Sequence, residues 1–246
     1  GDFLVYGNQK IRYLRSSAIA DLPWQDIGVE AVVEATGLAT ARAQAALHLD
    51  AGSQQVLIAA PSPDSDFTLV MGVNELDFDV DKHRVVSNAS CTTNSLAPPL
   101  KVLMENFGVR EVGMTTIHAY TSSQGLVDRP AKKMHRGRAA AVSIIPTSTG
   151  ADKATVQVLP ELAGRISACS VRVPVPDGSL TDITVWLEEA PDAHEINLVL
   201  RSAAEDRLAG ILGYTEEELV SADILGESCS GIVHAQSTQV VGHMAK

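Results

Sequence analysis

Hydrophobic and polar positions along this 246-residue chain follow two different patterns. In the first third, short apolar runs alternate with stretches of helical period. Ala31-Val32-Val33-Glu34 is one such run, closed by Thr36-Gly37. A helical stretch follows from Ala39 to Leu49, with Ala45, Ala46 and Leu49 on one side, and ends at Gly52. Val56 to Ala60 is a second apolar run, stopped by Pro61-Ser62-Pro63-Asp64. Strands buried on both faces read as unbroken apolar runs, and their alternation with helices predicts a parallel, doubly wound α/β sheet. Such sheets take ligands at the carboxyl ends of their strands, here near Thr36-Gly37 and Ala60-Pro61-Ser62. The plainer reading, that these are strand-ending turns only, stays open at this point. No G-x-G-x-x-G occurs, so the phosphate-gripping first turn of a dinucleotide fold is missing from the chain.

Further on the pattern changes. Asp182 to Glu188 alternates, with Ile183, Val185 and Leu187 on one face and Asp182, Thr184, Trp186 and Glu188 on the other. This period of two predicts a half-buried strand in a mostly antiparallel sheet. Ser167 to Val173 and Ile232 to Val241 read similarly, and a long helix is expected from Ala193 to Leu208, opened by Pro191-Asp192. The expected architecture is an α/β segment followed by an α+β segment, changing near Ser87 to Ser90.

Charge narrows the functional classes. The formal net charge is −11. Surplus acid argues against a nucleic-acid binder or an anionic membrane surface, so any anionic substrate needs a local basic pocket. The three cysteines, Cys91, Cys169 and Cys229, lie far apart without C-x-x-C spacing, which points to a reducing, cytoplasmic setting and away from a disulfide framework or zinc site. No apolar run reaches the length of a membrane span. The chain starts without Met and runs straight into a strand-like stretch at Lys10 to Leu14, so it reads as a piece of a longer protein.

Chemistry concentrates in Ser87-Asn88-Ala89-Ser90-Cys91-Thr92-Thr93-Asn94. The stretch follows the strand Arg84-Val85-Val86 and precedes a helix from Leu96 to Phe107. Asn88 and Ser90 are good N-caps, which puts Cys91 in or beside the first helical turn. Free amides and the helix dipole favour a thiolate there. A cysteine can equally be a small core hydrophobe, but the polar neighbours of Cys91 argue against that. Pro98 and Pro99 fall early in the helix and remove two of its hydrogen bonds. His118, at the end of the apolar strand Met114 to Ile117, is the candidate acid–base partner. A third group suits phosphate: Lys132, Lys133, His135, Arg136 and Arg138, the hydroxyls and amide of Ser148-Thr149-Gly150, and Arg172 within a strand beside Pro174. An Arg in an apolar strand needs an anion. No His or Cys spacing suggests a metal.

Ser87 to Asn94, followed by Thr115-Thr116-Ile117-His118-Ala119-Tyr120-Thr121, resembles phosphorylating glyceraldehyde-3-phosphate dehydrogenase. The resemblance continues in order through Arg138-Ala139-Ala140-Ala141, Ile144 to Ala151, Arg172-Val173-Pro174 and Gly210 to Thr215, covering essentially the whole chain. It implies a partial Rossmann-like NAD-binding domain over residues 1–89 and a catalytic domain over 90–246. Cys91 is then the nucleophile that forms a hemithioacetal and a thioester, with His118 as its base. Thr121, Arg136 and Arg172 would hold the phosphate of glyceraldehyde 3-phosphate. Ser90, Thr149, Gly150 and Arg172 would hold the attacking inorganic phosphate, with Thr92 beside the reacting carbon. Thr36, Gly37, Ala59 and Ala60 would lie under the cofactor, NAD with NADP as the alternative. Pro130 resembles NAD-using members, while Arg129 could attract a 2′-phosphate. A homotetramer of the full-length protein is implied, with the loop from Gln124 to Ser143 facing a neighbour.

Departures from the family pattern are specific. Its first strand–turn–helix and its C-terminal part, with the Asn that orients the nicotinamide, are not in this sequence. Ser95 stands where many members have a second Cys, and Ser17 where many have a cofactor-contacting Arg. The alternatives are erythrose-4-phosphate dehydrogenase, a Cys–His hydrolase, and a catalytically incomplete chain that serves only as a binding or assembly partner.

Overall fold

The computed structural model describes residues 2–246, which form two compact units. The N-terminal unit runs to Leu69 and resumes at Asp77–Ala89; the other comprises Val70–Leu76 and Ser90–Lys246.

The N-terminal unit opens with an antiparallel hairpin, β1 (Asp2–Tyr6) and β2 (Gln9–Tyr13). Its centre is a parallel four-stranded sheet, built from β3 (Ala31–Glu34), β4 (Gln55–Ile58), β5 (Phe67–Thr68) and β6 (Val85–Ser87) in the order β3-β4-β6-β5. Val56, Ile58 and Val85 are buried in its core with Ala45. The apolar run of β3, expected to be buried on both faces, is buried on one only: Val32 and Glu34 point inward and Val33 is 63% exposed. The helix expected from Ala39 to Leu49 is shorter and divided. It begins only at Arg42 and forms two single turns, α1 (Arg42–Ala45) and α2 (Leu47–Asp50). No side chain caps α1, and the Ala46 carbonyl receives a tight i→i+3 bond from the Leu49 amide at 2.8 Å. Gly52 closes the segment with φ +112°, where a Cβ would lie 2.6 Å from the Gln25 amide nitrogen. Only glycine fits there.

The second unit holds a six-stranded mixed sheet. Its strands are β7 (Val109–Ala119), β8 (Ile145–Thr147), β9 (Ile166–Val173), β10 (Ser179–Leu187), β13 (Val240–Val241) and β14 (Met244–Ala245), in the order β13-β14-β10-β7-β9-β8. Four of the five junctions are antiparallel; β7 and β9 run parallel. Helices α3 (Cys91–Phe107), α4 (Ala151–Val158) and α5 (Ala193–Glu205) complete it, with a two-stranded parallel sheet of β11 (Leu212–Thr215) and β12 (Gly231–His234). Leu96, Leu100 and Val102 are fully buried side chains of α3.

Three boundaries differ from expectation. Helix α3 starts five residues earlier than Leu96, because the Ser90 hydroxyl accepts the Thr93 amide. Helix α5 ends at Glu205 and not Leu208, since Asp206 leaves helical geometry and the Leu208 amide reaches back to Ala203. The strand expected from Ile232 to Val241 is broken by a turn at Ala235–Ser237. Asn197 of α5 holds both ends of that turn, donating to the Ala235 carbonyl at 3.1 Å and accepting from Thr238 at 2.7 Å.

Candidate active site

Cys91 is the first residue of α3, one position after the Ser90 cap. Ala89, with φ +54°, turns the chain just ahead of the cap; it is the one non-glycine residue in the left-handed region among those described. The cap binds twice: Ser90 Oγ lies 3.0 Å from the Thr93 amide and 2.8 Å from Thr93 Oγ1. The Cys91 thiol therefore sits, solvent-exposed, among the unpaired amides of a helix start.

His118 arrives from the penultimate position of β7. Its Nε2 is 3.5 Å from Cys91 Sγ, and Thr92 Oγ1 is 4.0 Å from the same sulfur. The hydrogen bond to His118 holds the Cys91 thiol below its ordinary pKa, against the opposing effect of burial. The same bond raises His118, again against burial. Both shifts favour the thiolate.

Arg172 completes this group. The parallel pairing of β7 and β9 sets Arg172 opposite His118. Arg172 Nη1 donates to His118 Nδ1 at 2.8 Å and to the Ala119 carbonyl at 2.7 Å, and Nδ1 itself lies 2.8 Å from that carbonyl. Burial and the positive charge of Arg136 both depress the Arg172 pKa. Neither arginine forms an ion pair with an acidic side chain among the described residues. Arg136 is held in place by neutral oxygens: Nε donates to Thr147 Oγ1 at 2.8 Å and Nη2 to the Ser148 carbonyl at 3.4 Å. Lys133 Nζ donates to Ser148 Oγ at 2.6 Å. Thr149 and Gly150 follow directly, with Gly150 at the N-terminus of α4 and open space beside its Cα. Thr149 Oγ1 accepts the Ala151 amide at 3.1 Å. Thr121 lies apart from these contacts, its hydroxyl 3.0 Å from Ser123 Oγ.

Thr36, Gly37, Ala59 and Ala60 all lie just past strand ends in the N-terminal unit. The Ala59 amide donates to the Glu34 carbonyl at 2.9 Å, and Ser87 Oγ donates to the Ala60 carbonyl at 2.8 Å. The Thr36 hydroxyl is engaged inward, donating to the Glu34 carboxylate, which also accepts the Thr36 amide at 2.8 Å.

Sequence reasoning missed what lies beneath that turn. Glu34 and His48 are both buried, with His48 Nε2 3.1 Å from Glu34 Oε2. Trp24 Nε1 donates to His48 Nδ1 at 2.9 Å, which leaves the Nε2 proton for Glu34. Burial pushes the Glu34 carboxyl up, but the bonds from Thr36 and His48 outweigh it and hold it low. The only sequence signal was a carboxylate closing an apolar strand. The Ala119 carbonyl was also missed, and a backbone atom carries no signal in the sequence. Among the described residues no group of His, Cys, Asp or Glu could hold a metal ion.

Comparison with known proteins gives one answer. The family described as glyceraldehyde 3-phosphate dehydrogenase, C-terminal domain, matches residues 90–246. Glyceraldehyde-3-phosphate dehydrogenase 1 of Bacillus cereus is 49% identical over 244 residues, spanning 99% of this chain and 73% of that protein. The protein of the same name from Bacillus subtilis (strain 168) is 49% identical over 247 residues, covering 100% and 74%. Glyceraldehyde-3-phosphate dehydrogenase of Geobacillus stearothermophilus is 48% identical over 247 residues, with the same coverage. With the thiol–imidazole pair at the start of α3, these matches show that the chain belongs to the glyceraldehyde-3-phosphate dehydrogenase family.

Proposed function

We propose that the chain carries out the oxidative phosphorylation of glyceraldehyde 3-phosphate to 1,3-bisphosphoglycerate, through a hemithioacetal and a thioester on Cys91. The observation that carries this reading is the 3.5 Å approach of His118 Nε2 to Cys91 Sγ, with Arg172 behind the ring. The thiolate adds to the aldehyde carbon; the C–S bond forms and His118 protonates the new alkoxide. His118 then takes the hydroxyl proton back while that carbon is oxidised. An oxygen of inorganic phosphate attacks the thioester carbonyl, the C–S bond breaks, and the Cys91 thiolate is restored.

Among the described residues neither Arg136 nor Arg172 has an acidic partner, which supports an anion site: Arg136 donates to two neutral oxygens, and Arg172 to a carbonyl and a ring nitrogen. With Thr121 they would hold the phosphate of the substrate. Ser90, Thr149, Gly150 and Arg172 would hold the attacking phosphate, and Thr92 flanks the reacting carbon. NAD, when bound, supplies the hydride acceptor. The strand ends fit it: Gly37 has φ +73°, and a Cβ there would meet nothing within 4 Å, so a ligand can approach that backbone closely. Thr36, Gly37, Ala59 and Ala60 would lie beneath it, and NAD is preferred to NADP. The split into an NAD-binding segment over 1–89 and a catalytic domain over 90–246 belongs to the same reading.

The protein acts in the cytoplasm, on this reading, as a homotetramer. Leu126, Val127, Met134 and Val142 in the loop from Gln124 to Ser143 are exposed apolar side chains that a neighbouring subunit would cover. No helix among the described residues is long and apolar enough to cross a membrane.

Absorbance of NADH on mixing the aldehyde, phosphate and NAD tests the activity. Cys91→Ser is expected to bring turnover to background while leaving the circular dichroism spectrum unchanged. Retained turnover in that variant sinks the mechanism, and faster turnover of erythrose 4-phosphate sinks the choice of substrate.

A further inference from the structure

Glu34 closes β3 with its side chain turned inward and only 4% exposed, beneath the turn at Thr36-Gly37. A buried carboxylate is costly unless donors surround it, and three do so here. Thr36 gives it both its amide, at 2.8 Å, and its hydroxyl, and His48 Nε2 lies 3.1 Å away. The direction of each bond is set from the far end of the row. An indole N–H can only donate, so Trp24 makes His48 Nδ1 an acceptor and leaves the ring proton on Nε2. His48 therefore donates to Glu34, and only a group that accepts on all sides suits that position. The Thr36 hydroxyl, its proton directed at Glu34, accepts the Leu38 amide at 3.1 Å. These bonds fix the turn from Glu34 to Leu38 and leave the Gly37 amide without a partner among the described residues. The backbone of Glu34 reaches the neighbouring strand end, where its carbonyl accepts the Ala59 amide at 2.9 Å. One residue thus holds both segments on which the dinucleotide would rest.

We propose that Glu34 is a positioning residue for the cofactor: by drawing the donors of Thr36 inward it keeps the Gly37 backbone amide free for the dinucleotide, in a turn that is ordered before the ligand arrives. The inference rests on the reading of these strand ends as the seat of NAD. Trp24 and His48 act one step further back, by directing an N–H at the carboxylate. Polarity at position 34 then matters more than bulk. In Glu34→Gln, either orientation of the new amide sets an N–H against an N–H, at His48 or at Thr36. Trp24 prevents relief, because it holds the lone pair on Nδ1 and with it the tautomer of the ring. Combining Trp24→Phe with Glu34→Gln releases Nδ1, so the ring proton moves there and Nε2 accepts from the amide.

Isothermal titration calorimetry with NAD measures the dissociation constant for the wild type, for Glu34→Gln, and for the pair Trp24→Phe with Glu34→Gln. Glu34→Gln is expected to weaken NAD binding by about tenfold, because the turn is no longer pre-organised. The paired variant should bind NAD more tightly than Glu34→Gln alone. A loss of packing cannot produce that recovery, since the second substitution removes still more bulk. An unchanged dissociation constant in Glu34→Gln, with only the melting temperature lowered, overturns the inference. So does a paired variant that binds no better than Glu34→Gln. If the wild type does not bind NAD, the reading of the strand ends as its seat fails, and the inference falls with it. Should Glu34→Gln not fold, Thr36→Ser and Thr36→Val decide, because one keeps the hydroxyl that bonds Glu34 and the other loses it. Thr36→Ser should retain the wild-type affinity and Thr36→Val should lose it by a similar factor of about ten. Equal affinities in those two variants overturn the inference.

Discussion

The imidazole of His118 has a partner on each nitrogen, and the two make opposite demands on its charge. Cys91 on Nε2 favours the protonated ring, and Arg172 on Nδ1 opposes it. The thiol is the more lopsided group: its bond to His118 prevails over burial and holds its pKa low. A group depressed in this way stays ionised down to its own lowered pKa, so alkylation of Cys91 by iodoacetamide should persist below the ordinary thiol range and fall only as pH drops through that value. Removing the imidazole in His118→Asn should move the midpoint of this profile upward. At neutral pH the rate should fall by about tenfold for each unit of the shift. An unmoved midpoint would show that the helix start alone activates the thiol. Cys91 and His118 were legible in the sequence because small polar residues surround one and a strand end carries the other. The Arg172 contact with His118 was not legible, because it depends on a parallel register joining residues 54 apart.

Elements whose ends are marked by side chains were readable, and those whose ends are set by distant partners were not. Asp192 and Glu195 form a reciprocal capping box at the start of α5: Asp192 Oδ1 accepts the Glu195 amide and Glu195 Oε2 accepts the Asp192 amide, both at 2.8 Å. The chain itself signals that boundary. Asp192→Ala should lower stability by about 1 kcal/mol in urea unfolding, with the alkylation rate of Cys91 unchanged. No loss of stability would mean that packing of Ile196, Leu200 and Ala203 alone positions the helix. The turn that interrupts Ile232 to Val241 has no such local mark. It exists because Asn197 supplies a donor to one end and an acceptor to the other, across 38 and 41 residues. Neither glycine nor proline falls between Ile232 and Val241, so no residue there announces the break. Helix α3 shows the converse: Pro98 and Pro99 lie inside it, buried, and it runs unbroken from Cys91 to Phe107 because the rest of its apolar side is packed.

At the scale of the whole molecule, the acidic surplus and the local chemistry point in different directions. A net charge of −11 gives no hint of an anion site, yet Arg136 lies close enough to Arg172 to depress its pKa, and neither forms an ion pair with a carboxylate among the described residues. The two larger sheets were legible as parallel and as mostly antiparallel, one from apolar runs that alternate with helical stretches and the other from a period of two. Strand order was not, because it depends on which non-adjacent segments pair. Apolar side chains on the loop from Gln124 to Ser143 support the proposed assembly; Met134 and Val142 are each 80% exposed. Replacing both by Asp should shift the protein to smaller species in sedimentation velocity, because a charge buried in a subunit contact is costly. Cys91 alkylation should be unaffected. Wild-type sedimentation in the double variant would remove this loop from the interface.

The buried row of Trp24, His48 and Glu34 has a consequence for how the sequence can drift. Each member fills a hydrogen-bonding need of the next, and the last holds the turn at Thr36. Loss of any one leaves a buried polar atom without a partner, a penalty of about 1–3 kcal/mol, whereas exchanging several together for apolar groups of similar shape is far milder. The three positions therefore behave as a single heritable character, spread over 24 residues of sequence. Substitutions that look conservative at one of them are acceptable only on a background already changed at the others.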